Sequence, residues 1–248
     1  MGILLEGKNL NKTFKSKDKD TVAICDVSFY LEEGEVLGIV GESGSGKSTL
    51  LKIISGLEKA DSGELLHEGN DYNGMGPRHT GAFLQMIFQD AKSSFDSRLS
   101  MEKSLLESGR GMNDKKKLLE LIKMVGLSEE LLSRKPGKLS GGQCQRMSIA
   151  RVFYSGARIL LCDEMTSALD VSSQAQVMKI MNDLKAEGKL SAIFVSHDIA
   201  LVSTICDRIM VLKDGRCVEQ GKTTDIISDP SDEYTRMLIE SARKQSIE

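Results

Sequence analysis

The sequence predicts an α/β fold in which a mainly parallel sheet is covered by helices on both faces. Two observations carry this expectation. Strand-like and helix-like segments alternate through the second half of the chain, and an early strand is apolar on both of its faces. That strand, Val36-Leu37-Gly38-Ile39-Val40, has no polar face to offer water, as a buried parallel strand would not.

The elements follow in order. A strand-rich stretch runs to about Val40 and includes alternating segments such as Val27-Ser28-Phe29-Tyr30-Leu31. The apolar strand ends in Gly41. From Lys47 the residues Leu50, Leu51, Ile53 and Ile54 fall at helical spacing until Gly56 stops them. From about Phe95 to Val152 the pattern is mostly helical; Leu118, Leu119, Leu121, Ile122 and Val125 form one amphipathic stripe, stopped by Gly126. Strands and helices then alternate: Arg158–Cys162, Val171–Ala186, Leu190–Val195 and Ile199–Cys206. A hairpin follows, with Asp214-Gly215 turning between Ile209–Leu212 and Arg216–Glu219. The middle helical stretch reads as a subdomain inserted into the sheet. No internal repeat or low-complexity segment is evident, and Lys15–Asp20 is a short charged loop.

Composition narrows the class. The 248 residues are enough to bury a proper core, and 28% charged with 40% hydrophobic residues is an ordinary globular mixture. A net charge of −3 argues against nucleic acid as the main partner, because phosphate backbones favour basic surfaces. No basic flank followed by a long apolar run opens the chain, so no signal peptide is expected. No apolar stretch approaches the roughly 18–20 residues of a membrane-spanning helix, so any action on a membrane requires other chains. Cys25, Cys144, Cys162, Cys206 and Cys217 contain no CxxC pair, which fits reduced, incidental thiols rather than a metal or disulfide framework.

Gly41-Glu42-Ser43-Gly44-Ser45-Gly46-Lys47-Ser48 fits GxxxxGK[ST] in full, between an expected strand and an expected helix. Glycines let backbone N–H groups converge on phosphate oxygens, and the following helix turns its positive end to the same place. Lys47 brings a point charge to the β- and γ-phosphates, and the Ser48 hydroxyl is a ligand for Mg²⁺. A turn that merely starts a helix has no use for that lysine and hydroxyl. Downstream, Arg158-Ile159-Leu160-Leu161-Cys162 ends in Asp163-Glu164. With the cradle upstream, Asp163 is expected on the metal side and Glu164 as a general base toward an attacking water; alone, the pair would read as a solvated turn.

Leu139-Ser140-Gly141-Gly142-Gln143 is a serine cap and two glycines at a helix start, a second anion-binding end. One domain has no evident need for two, so this one is expected to serve a nucleotide held by another copy or a homologue. The motif resembles the signature of ABC ATPases, and the rest of the chain is similar to that family in its order. Gln89, in Met86-Ile87-Phe88-Gln89-Asp90, resembles the Q-loop glutamine that senses Mg²⁺ and couples to membrane subunits. Ser167-Ala168-Leu169-Asp170 resembles the D-loop, which places Asp170 with the nucleotide-binding set, and His197 resembles the switch histidine that contacts the γ-phosphate. Phe14 is similar in position to the aromatic that stacks on adenine. By the same resemblance Gly41, Ser43, Gly44, Gly46, Lys47, Ser48 and Thr49 hold ATP from one side, and Ser140, Gly141, Gly142 and Gln143 hold it from the other.

The resemblance implies a P-loop NTPase of ABC type, with an N-terminal antiparallel β subdomain, a core from 1–90 and 153–248, and a helical subdomain at 91–152. Within the family the chain looks like the oligopeptide, dipeptide and nickel importer ATPases. Gly41 to Thr49, Ser167 to Val177, Asp229-Pro230 and Tyr234-Thr235 carry that likeness, and Phe88-Gln89-Asp90 is closer to the second ATPase of those pairs. Met165 departs from the usual proline, and Asp96-Ser97 from a common Asn-Pro. Implied partners are a second ABC ATPase, two transmembrane permease subunits and, indirectly, an extracytoplasmic solute-binding protein, at the cytoplasmic face of the membrane. An exporter ATPase, a soluble ABC protein without a transporter, and a non-ABC P-loop kinase or GTPase are the rival readings. The last leaves the Ser140 motif without an account.

Overall fold

The computed structural model describes residues 2–16 and 19–245; positions 17 and 18 of the expected charged loop lie outside the described residues. The chain opens with two long strands, β1 (Ile3–Phe14) and β2 (Thr21–Glu32), then β3 (Val36–Val40) and helix α1 (Lys47–Ile54). Next come β4 (Ser62–His67), β5 (Asn70–Asp71), the single-turn α2 (Pro77–Thr80) and β6 (Leu84–Ile87). The helices α3 (Met101–Ser108), α4 (Lys115–Met124) and α5 (Gly141–Ser155) follow, so α5 continues past the expected boundary at 152/153. The remainder alternates as β7 (Ile159–Asp163), α6 (Val171–Ala186), β8 (Ala192–Ser196) and α7 (Ile199–Ser203). It closes with the hairpin β9 (Arg208–Lys213) and β10 (Arg216–Lys222), then α8 (Thr223–Ser228) and α9 (Glu233–Gln245).

Two sheets form, both consistent with the α/β expectation. One is antiparallel in the order β2-β1-β4-β5; the other runs β10-β9-β3-β8-β7-β6 and is parallel except for the β9–β10 hairpin. The period-2 alternation of the parallel strands divides the core in two. Val36, Val40, Leu160, Cys162, Ala192 and Phe194 point to the face packed by α3 through α9. Leu37, Ile39, Ile159, Leu161, Ile193 and Val195 point to the opposite face, which α1 and the antiparallel sheet cover. Every residue of β3 and β8 is buried, which is why those strands read as unbroken apolar runs.

A backbone bond from Cys25 N–H to Gly215 O (2.8 Å) ties β2 to the β9–β10 turn. At the opposite end of β9, Arg208 donates to Glu35 Oε1 at 2.9 Å while its guanidinium lies 3.8 Å from the Tyr30 ring centre. Strand order sets the rest. β3, β8, β7 and β6 lie side by side and point the same way, so the segments leaving their carboxyl ends form one row. Along that row stand Gly41–Ser48, His197, Asp163-Glu164 and Gln89, which is where ligands bind in open α/β sheets.

Candidate functional site

The loop after β3 is shaped by glycine at its last position. Gly46 has φ 107 at the N-cap of α1, and a Cβ there would meet Ala23 O at 2.6 Å. That left-handed conformation is open to glycine at little cost and to other residues rarely. No side chain caps α1 and no acid occupies its first turn, so its leading N–H groups remain available to an anion. Gly215 N–H donates to Ser45 O at 3.0 Å, and Glu42 N–H donates to the Tyr234 hydroxyl at 2.9 Å, fixing the loop from two distant parts of the chain.

The Lys47 side chain is folded into this loop, donating to Gly41 O at 2.6 Å and Glu42 O at 2.8 Å. Burial pushes its ammonium below the ordinary lysine value, while the charges of Glu164, Asp163 and Glu42 oppose that push. Beside it opens a cleft of 310 Å³, lined by Ser43, Gly44, Gly46, Lys47, Ser48, Thr49 and Glu164 on one side. Phe14 and the stretch Thr21, Val22, Ala23 form the other wall. Phe14 closes β1 and is 41% exposed, a flat apolar surface at the cleft edge.

Asp163 ends β7 and Glu164 follows it. Burial first, then the neighbouring Glu164 charge, raise the Asp163 carboxyl above the usual aspartate range; Lys52 and Lys47 work the other way. Glu164 stands at φ 46, in the left-handed region, with its N–H donating to Val195 O at 3.0 Å. A non-glycine residue held there is the kind of local strain that clusters at functional sites. Its Oε1 lies 3.4 Å from His197 Nδ1, so Glu164 joins the Lys47 cleft to a second cleft of 180 Å³ that holds His197, Ser167, Gln174 and Asp198.

The structure thus brings Phe14, Ser43, Gly44, Gly46, Lys47, Ser48, Thr49 and Glu164 into one cleft, with His197 next to Glu164. Other expected residues lie apart from it. Gln89 donates from Nε2 to Ser167 Oγ at 3.0 Å and lines a third cleft, of 340 Å³, with Lys92, Gly141 and Leu169. Ser140 caps α5, accepting from Gln143 N–H at 3.2 Å, while Gln143 Oε1 accepts from Ser140 N–H at 3.0 Å. Gly142 lets the starts of α5 and α6 approach, since a Cβ there would meet Ser173 Oγ at 2.6 Å. Asp170 caps α6, and its carboxylate accepts from Ser172 Oγ, Ser173 N–H and Ser173 Oγ at 2.7–2.9 Å, which holds it down to about 2.

Sequence reasoning missed two participants. Tyr234 reaches the loop after β3 across 192 residues of chain, a distance no local pattern encodes. The wall Thr21 to Ala23 reads as ordinary strand, and its place at the cleft comes from the pairing of β2 with β1.

The chain is similar to known proteins in sequence and in fold. A family profile described as ABC transporter matches residues 24–167, more than half of the chain. The Oligopeptide transport ATP-binding protein OppF of Escherichia coli (strain K12) is 39% identical over 256 residues, covering 96% of this chain and 77% of that protein. Its namesake from Haemophilus influenzae is 38% identical over 249 residues, covering 96% and 75%. Among solved structures, the dimeric post-hydrolysis state of the ATP-binding cassette MJ0796, bound to ADP and Pi, has a TM-score of 0.77 at 32% identity and covers 89% of this chain and 99% of that one. Clostridium perfringens cbiO1, part of the ABC transporter complex cbiONQ, has a TM-score of 0.81 at 27% identity, with 92% of each chain covered. With a glycine-rich loop leading into α1, a carboxylate pair at the end of β7 and these relatives, the chain belongs to the ABC transporter family as one of its ATP-hydrolysing subunits.

Proposed function

We propose that this chain is an ATPase subunit of an importer for oligopeptides, working as a pair with a second ABC ATPase. One observation carries the paired reading: the Ser140 helix start does not line the cleft that contains Lys47. A second copy or a homologue packed head to tail supplies that end, so that each ATP is gripped by the Lys47 loop of one subunit and the Ser140 loop of its mate. The γ-phosphate then favours closure, because the closed pair alone contacts it from both sides, and hydrolysis releases the grip.

Lys47, the loop N–H groups and Thr49 hold the phosphates, and Phe14 stacks on the adenine. Glu164 takes the proton of the attacking water and His197 orients it toward the γ-phosphate. The donor set suits Mg²⁺. Among the described residues no three His, Cys, Asp or Glu side chains converge as a metal cage. Magnesium takes few protein ligands and completes its shell with water and phosphate oxygens. Ser48 and Asp163 are the residues that would hold it, Gln89 being bonded to Ser167 and apart from the Lys47 cleft in this chain, and the raised Asp163 carboxyl is a group whose charge a cation stabilises. When bound, the ion neutralises charge on the phosphate oxygens.

The relatives carry oligopeptide transport in their names, which favours peptides over the nickel or metal-chelate alternative. Cargo would pass through two permease subunits fed by a solute-binding protein, with this chain held peripherally at the cytoplasmic face. No helix among the described residues is long and apolar enough to cross a membrane. The helical part at 91–152 and the Gln89 segment would carry closure to the permeases.

Replacing Glu164 by Gln is the direct test. ATP affinity should stay within about twofold while turnover falls at least about a hundredfold, the range of a lost general base. Unchanged turnover removes Glu164 from this role.

A further inference from the structure

The turn that carries Glu164 is held from two sides. Its left-handed backbone persists because the neighbours over-determine it. Met165, 1% exposed, anchors the turn in the core beneath. Ser167 closes the turn from the far end with two bonds to the Glu164 carbonyl, from its N–H at 3.1 Å and from its hydroxyl at 2.9 Å. The same hydroxyl accepts from Gln89 Nε2 at 3.0 Å. A hydroxyl has one proton to give and lone pairs to spare, so both of its bonds form together and each polarises the other.

Gln89 leaves the end of β6 and Glu164 the end of β7, and these strands are neighbours in the sheet. We propose that Ser167 is a positioning residue that links the Gln89 side chain to the backbone of Glu164, so that a displacement of the Gln89 segment turns the Glu164 carboxylate. The role rests on the reading of Glu164 as the base. It gives the third cleft, where Gln89 meets Lys92, Gly141 and Leu169, a route to the reacting water that does not pass through the nucleotide.

Steady-state ATP hydrolysis by the full chain and its Ser167 variants tests the link. Ser167→Ala should lower kcat about threefold to tenfold, the worth of one ordinary hydrogen bond, and leave the KM for ATP within about twofold. Ser167→Thr keeps the hydroxyl and should restore kcat. In a Gln89→Ala background the further Ser167→Ala change should cost less than in the unaltered chain, because the link is already cut and only the hydroxyl's bond to the Glu164 carbonyl remains to be lost. A Ser167→Ala loss of equal size in both backgrounds overturns the proposal, as does a loss seen in KM alone or no loss at all. Glu164→Gln, measured alongside, separates the two readings. Turnover surviving that change refutes the base; an inactive Glu164→Gln together with multiplicative Ser167 and Gln89 effects leaves the base standing and removes the link.

Discussion

Two helix starts in this molecule look alike in sequence and differ in how their polar groups are spent. The start of α1 has a left-handed glycine at its cap, no capping side chain and a lysine turned back onto the loop carbonyls. The start of α5 is self-contained, with Ser140 and Gln143 satisfying each other's backbone in a reciprocal capping box. The first has donors waiting for an anion, and the second has already spent part of its capacity on its own fold. Phosphate affinity should therefore reside at α1, while α5 can add contacts to a phosphate but not capture one alone. That asymmetry suits a nucleotide that binds one subunit first and recruits the other.

The largest expected effect follows from the α1 end. Lys47→Ala removes a charge-assisted contact to phosphate, so ATP binding by titration calorimetry should weaken about tenfold to a hundredfold. Affinity unchanged by this substitution would break the comparison, because the α1 start would then be no better an anion site than α5. The next effect belongs to the contact between the α5 and α6 starts. A methyl at Gly142 collides with Ser173 Oγ and Cβ, 2.6 and 2.8 Å from where it would sit. Gly142→Ala should cost about 1–3 kcal/mol in thermal or denaturant unfolding, as overpacked sites do. ATP affinity of the isolated chain should stay as it was, since Gly142 does not line the Lys47 cleft.

The α1 end was legible in the sequence because its chemistry is local: glycines, a lysine and a hydroxyl at fixed offsets between a strand and a helix. Asp163-Glu164 was legible for the same reason, as a charged end on an apolar strand. The parallel strands announced themselves through burial on both faces. The β4–β5 edge, by contrast, left little pattern, because Ser62–His67 alternates weakly and buries Leu65 alone. The helices after the hairpin were not read; α8 is a short element, and Tyr234 matters through a contact with Glu42 that only the folded chain creates. Gln89 was identified by position, but its partner Ser167 depends on β6 and β7 being neighbours, which strand order decides and the sequence does not state. Asp170 was placed with the nucleotide-binding set, whereas within this chain its carboxylate is engaged in capping α6.

The smallest effect is the one that best separates a cap from a phosphate contact. Ser140→Ala removes the side-chain acceptor of the α5 capping box and should cost about 1 kcal/mol of stability, whereas Ser140→Gly should cost only a few tenths. Both variants remove the same hydroxyl. If Ser140 also donates to a γ-phosphate held by the mate subunit, turnover must fall equally in the two, although their melting temperatures differ. If Ser140 is a cap alone, turnover must follow stability, and the glycine variant will hydrolyse ATP nearly as fast as the unaltered chain. Turnover and melting temperature measured on the two variants side by side therefore decide whether the α5 start is spent wholly on the fold or keeps a hydroxyl proton for a neighbouring subunit's nucleotide.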